Sequence, residues 1–110
     1  MENMLRLETK GNVTEGILEG TNRLNATIAQ EVKVSLNKAL KQSEFQLILN
    51  LKNILFIDST GIGVLISALK TSRQNNGSFI LKSVNKDVMS LLTLMKLDQV
   101  FDFSESTNQN

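Results

Sequence analysis

The residues of this chain best suited to chemistry are Asp58-Ser59-Thr60-Gly61-Ile62-Gly63. An acid precedes two adjacent hydroxyls, and two glycines after them permit a tight turn. The apolar run Leu47 to Ile57 reads as strand, and a helical pattern takes over near Thr60. At such a junction the first helical N–H groups lack intrahelical partners and, with the helix dipole, favour negative charge. A hydroxyl held there could cap the helix, attack a substrate, or accept a phosphoryl group.

Three kinds of site fail on spacing. A phosphate-binding loop requires Lys after its second glycine, and none follows Gly61 or Gly63. The dinucleotide fingerprint would need glycine where Ile66 stands. A hydrolase nucleophile elbow centred on Ser59 has Gly61 behind it but Ile57 ahead. The chain contains no histidine, so a Ser-His-Asp triad and histidine general-base catalysis are absent, while carboxylate or lysine chemistry stays open. The pattern points away from an enzyme. The simplest role for Asp58, Ser59 and Thr60 is to cap the helix. One such residue suffices for a cap, and three in succession leave a hydroxyl to account for.

The elements that must hold this segment follow from periodicity. Met4 to Lys10 alternates as an edge strand, Gly11-Asn12 turns, and Val13 to Glu19 completes a hairpin. Gly20 to Asn25 reads as a polar loop. Ile28, Val32, Leu36 and Leu40 then mark one face of a helix, with Thr27 as its expected N-cap and Asn25 as the competing choice. Phe45 to Leu51 is apolar at nearly every position, as in a strand buried on both faces, and Lys52-Asn53 interrupts it before Ile54 to Ile57. The helix from Thr60 to about Asn75 is apolar nearly all round in its first turns, and Asn75-Asn76-Gly77 should end it through a left-handed cap. Ser78 to Val84 reads as strand, Asn85 caps a helix running to Met95, and Leu97 to Phe103 offers a last strand. The expected order is β-β-α-β-α-β-α-β: an α/β fold, a mixed sheet with helices packed on it. One domain spans 1–104, with a polar tail at 105–110.

Composition narrows the function classes. The chain has 110 residues, with 12 basic and 11 acidic side chains and no block of like charge. Nucleic-acid binding normally requires a basic stripe, which is absent here. Of the five Phe, Phe45, Phe56 and Phe79 lie in strand-like runs and are expected in the core; Met89 and Met95 are expected as core or filler. With neither Cys nor His, a structural zinc site and a disulfide framework are excluded, and no cofactor is implied. No signal-peptide pattern opens the sequence and no run approaches a membrane span, so a cytoplasmic protein is expected.

The run from Leu47 to Leu65, with Asp58-Ser59-Thr60-Gly61-Ile62-Gly63 at its centre, resembles the signature of STAS domains. Within them it is most similar to the bacterial anti-sigma factor antagonists, and Gly77-Ser78-Phe79 and Val88-Leu91-Leu92-Leu97 extend the likeness along the chain. The resemblance implies a partner switch. It assigns phosphorylation to Ser59 by an anti-sigma factor that is also a serine kinase, loss of binding on phosphorylation, and restoration by a metal-dependent phosphatase. It implies a partner-binding surface of Asn25, Asp58, Ser59, Thr60, Gly61 and Ile62. Asp58 is either the orienting acid or a helix N-terminal charge, and Thr60 either a minor phosphorylation site or, by preference, a structural hydroxyl. Family antagonists often carry Gly-Glu-Leu/Ile-Asp before the first helix, where this chain has Asn25 for the Asp and a loop made more positive by Arg23. The alternative the family offers is a structural STAS subunit of a signalling assembly or lipid-transport complex. Nucleotide binding, known for some STAS domains, would need a phosphate loop that this chain lacks.

Overall fold

A computed structural model describes residues 4–104; the expected polar tail at 105–110 lies outside the described residues. Strands β1 (Leu5–Lys10) and β2 (Val13–Leu18) form the expected hairpin, with Gly11 at φ 59° in the two-residue loop. A two-residue strand β3 (Arg23–Leu24) follows, then α1 (Ala29–Gln42), β4 (Gln46–Asn50) and a second two-residue strand, β5 (Phe56–Ile57). Helix α2 (Ser59–Gln74), β6 (Ser78–Lys82), α3 (Lys86–Leu94), a 3-10 turn at Leu97–Gln99 and β7 (Asp102–Phe103) complete the order. The main sheet runs β1-β2-β4-β6-β7, antiparallel at the hairpin and parallel elsewhere. This is the mixed α/β sheet that the alternation of strands and helices predicts.

The sheet has two unlike faces because side chains alternate along each strand. Leu5, Leu18, Leu47, Leu49, Phe79 and Leu81 point to one side and join Val32, Leu36, Leu65, Val88 and Leu92 of the helices in a single buried cluster. The opposite face carries Arg6, Glu8, Lys10, Glu15 and Lys82, with buried Ile17 among them. Three acids on it are ion-paired: Glu8 and Glu19 both to Arg6, the latter at 2.9 Å, and Glu15 to Lys82 at 3.0 Å.

Several local expectations need correction. The run Leu47 to Ile57 is two strands in two different sheets, because the chain turns at Lys52-Asn53 and β5 pairs with β3 rather than continuing β4. Of the three core Phe expected, Phe79 is fully buried and Phe45 half-buried, but Phe56 is 51% exposed. Met95 is likewise exposed. Helix α2 does end in a left-handed cap, but the positive φ belongs to Asn76. Gly77 N–H then reaches Ser72 O at 2.7 Å and Asn76 N–H reaches Arg73 O at 3.2 Å, the paired bonds of a Schellman motif. Gly77 is required for a different reason: a Cβ there would collide with the Phe45 carbonyl.

Candidate functional site

The site begins with the small parallel sheet of β3 and β5, in which Arg23 aligns with Phe56 and Leu24 with Ile57. Leu24 and Ile57 face inward, 0% and 3% exposed, and fix the end of β5 against the core. Asn22 O accepts from both Leu55 N–H and Phe56 N–H, and Leu24 O accepts from Asp58 N–H at 3.2 Å. The loop before α1 and the loop before α2 are thus built as one unit.

Asp58 completes that unit. Its backbone is extended (φ −108°, ψ −177°) and its Oδ1 accepts from Gly61 N–H at 2.8 Å, which makes it the N-cap of α2. Its Oδ2 accepts from Ala26 N–H at 3.1 Å, across the gap to the loop before α1. Asn25 lies next to that contact, and its Oδ1 accepts from Thr27 N–H at 3.1 Å. The turn so formed leads into α1, whose N-cap position is Ile28 with no side-chain cap. Thr27 is therefore not the cap the capping-box pattern predicts. Asn25, the competing choice, organises the turn ahead of the helix.

With capping assigned to Asp58, both hydroxyls are left over. Ser59 is the first residue of α2 and exposed; Thr60 follows it, also exposed. Neither side chain forms a hydrogen bond among the described residues, so Thr60 is not the structural hydroxyl it was expected to be. Thr60 instead lines a shallow groove between α1 and α2 with Lys33, Gly63 and Ser67. A free Ser59 hydroxyl at the positive end of a 16-residue helix is suited to carry a phosphate, whose charge the helix terminus tolerates.

The two remaining predicted residues fall inside. Ile62 is 3% exposed and belongs to the core cluster, because it lies with Gly61 on the side of the first turn of α2 that faces the core, opposite exposed Ser59 and Thr60. It supports the surface without being part of it. Gly61 is buried as well, and a Cβ on it would collide with the Leu24 carbonyl, so its role is to let α2 approach β3. At Gly63 the reverse holds: the position is exposed and a Cβ would meet nothing within 4 Å. The structure thus gathers Asn25, Asp58, Ser59 and Thr60 on one end of the molecule and withdraws Gly61 and Ile62. It adds a pairing the sequence pattern missed, Arg23 over Phe56, whose guanidinium and ring lie 6.0 Å apart. Only the pairing of β3 with β5 brings them together.

The comparisons with known proteins agree with this architecture. The chain is 31% identical over 75 residues to an anti-sigma F factor antagonist of Paenibacillus polymyxa, a match spanning 64% of this chain and 64% of that relative. It is 24% identical over 100 residues to an anti-sigma-B factor antagonist of Bacillus subtilis, spanning 84% of this chain and 92% of the relative. The crystal structure of a Thermotoga maritima protein described as an anti-sigma factor antagonist superposes with a TM-score of 0.78 at 28% identity, covering 91% of this chain and 85% of that one. The STAS domain family model matches residues 4–110. With that match running from β1 through the Asp58-capped helix to β7, the chain belongs to the STAS domain family.

Proposed function

We propose that this chain is an anti-sigma factor antagonist, a binding protein and not an enzyme, whose affinity for its partner is set by phosphorylation of Ser59. The observation that carries the reading is the division of labour at the start of α2. Asp58 does the capping, and the Ser59 hydroxyl beside it is exposed and unengaged. The relatives named as anti-sigma factor antagonists support an anti-sigma factor as the partner class; in this proposal that partner also has serine kinase activity. Unphosphorylated, the chain holds that partner and frees the sigma factor. Phosphorylation adds about −1.5 to −2 charge at the centre of the contact, where it opposes the partner surface without requiring this chain to refold. A metal-dependent serine phosphatase resets the switch. The setting is the cytoplasm, where sigma factors act; among the described residues no helix is long and apolar enough to cross a membrane.

Binding of the host's purified anti-sigma factor kinase, measured by isothermal titration, tests this reading. Wild type and Ser59→Ala should bind alike, and Ser59→Asp should bind at least tenfold more weakly. Equal affinity of Ser59→Asp and Ser59→Ala would contradict it.

A further inference from the structure

We infer that Arg23 and Phe56 form a second anchor of the partner surface, built to take an apolar segment of the anti-sigma factor that carries a carboxylate. The inference rests on the antagonist reading and names the chemistry of the partner at a place the Ser59 switch does not explain. The β3–β5 sheet has an inner face, Leu24 and Ile57, committed to the core. Its outer face is Arg23 over Phe56, and the ring is 51% exposed. Leu55, the next residue back, is 56% exposed. An aromatic ring this open at the end of a short strand is not needed by the fold, since its register partner is a charged side chain rather than a core residue.

The backbone beneath the pair is unusually well fixed for a surface loop. The Thr21 hydroxyl accepts from Arg23 N–H at 3.1 Å and donates to Arg23 O at 2.9 Å. On the other strand, Phe56 N–H donates to Asn22 O. Anchors held in place before binding lose little freedom when they bind, and Arg and aromatic side chains are the types that carry most binding energy at interfaces. Charge identifies the occupant. Arg23 forms no ion pair among the described residues, and the loop 20–25 contains no acid to satisfy it. A carboxylate arriving with apolar surface satisfies both groups at once. Phe56 lies three residues before Ser59, so this anchor is continuous with the switch.

The test is binding of the host's purified anti-sigma factor kinase to wild type, Phe56→Ala, Arg23→Ala, Arg23→Glu and Ser59→Asp, at low and high salt. Thermal melts of each variant confirm that exposed substitutions leave the fold intact. Phe56→Ala should weaken binding about tenfold. Arg23→Glu should weaken it more than Arg23→Ala, because it sets like charges against each other, and high salt should narrow that difference. Sensitivity to Ser59→Asp alone, with Phe56 and Arg23 variants binding as wild type, overturns the anchor and leaves the antagonist reading standing. Equal effects of Arg23→Ala and Arg23→Glu overturn the acidic partner. Sedimentation of wild type alone showing a dimer that Phe56→Ala dissolves would make a second copy the occupant and overturn the proposal. No binding by wild type overturns the antagonist reading and the anchor with it.

Discussion

Asp58 holds together two loops that are 32 residues apart in the chain, one oxygen on Gly61 N–H and the other on Ala26 N–H. Because the same carboxylate caps α2 and fixes the approach to α1, it sets the position of Ser59 relative to Asn25. An N-cap of this type contributes about 1 kcal/mol, with a range of roughly 0.5–2. Ala26 is exposed, so water can replace its lost acceptor and the second bond adds little to that figure. Asp58→Ala should therefore lower unfolding stability by about 1–2 kcal/mol, seen as a lower urea midpoint at unchanged slope. Ser59→Ala, which removes a hydroxyl with no partner, should leave the midpoint where it is. If the two substitutions cost the same, capping is shared between Asp58 and Ser59 and the hydroxyl is not free for a kinase.

At the scale of elements, what could be read from the sequence was whatever has a local cause. The hairpin follows from alternation around Gly11-Asn12, and Asn85 caps α3 as its position implies, accepting from Val88 N–H at 2.9 Å. The succession of the longer strands and helices along the chain and the junction at Asp58 are legible for the same reason: long apolar runs and a cap leave a periodic trace. Strands β3 and β5 leave none, since two residues show no period and their partners lie more than 30 positions away. That is why Phe56 is misplaced in the core and Arg23 is read only as a positive charge in a loop, not as the partner of Phe56. Ile62 is misjudged as surface for a related cause, because α2 is apolar on most sides and the site lies only on its first turn. Gly77 shows how a correct residue can carry a different reason, since its absent side chain makes room for the Phe45 carbonyl. Gly77→Ala should destabilise by about 1–3 kcal/mol, the usual range for forcing an extra carbon into a packed site. Thermal unfolding checks this; a substitution without effect would mean that the α1–β4 turn gives way.

Across the whole molecule, the helices cover one sheet face and leave the other to charge. Burial opposes the ionisation of Glu15 there, but hydrogen bonds from Asn50 and Lys82, with the charges of Lys82 and Lys52, outweigh it and hold the carboxyl below its ordinary value. A carboxyl whose pKa is lower in the folded state stabilises the fold above its unfolded value and loses that contribution as pH falls through the folded one. Stability should accordingly decline as pH drops below about 4.5, and Glu15→Gln should show a shallower decline measured by urea unfolding at stepped pH. Glu19, held low by Arg6, acts in the same direction and remains in that variant. An unchanged acid limb in Glu15→Gln would remove the β2–β6 pair from the account. None of this network touches the Ser59 end of the molecule, so the proposed switch should work on a fold that stays the same. The central claim is tested most directly by incubating the protein with the host's anti-sigma factor kinase and ATP and locating the phosphate by mass spectrometry. The account predicts one phosphate, on Ser59, and none on Ser59→Ala; equal labelling of Ser59→Ala, or a phosphate on Thr60 alone, would contradict it.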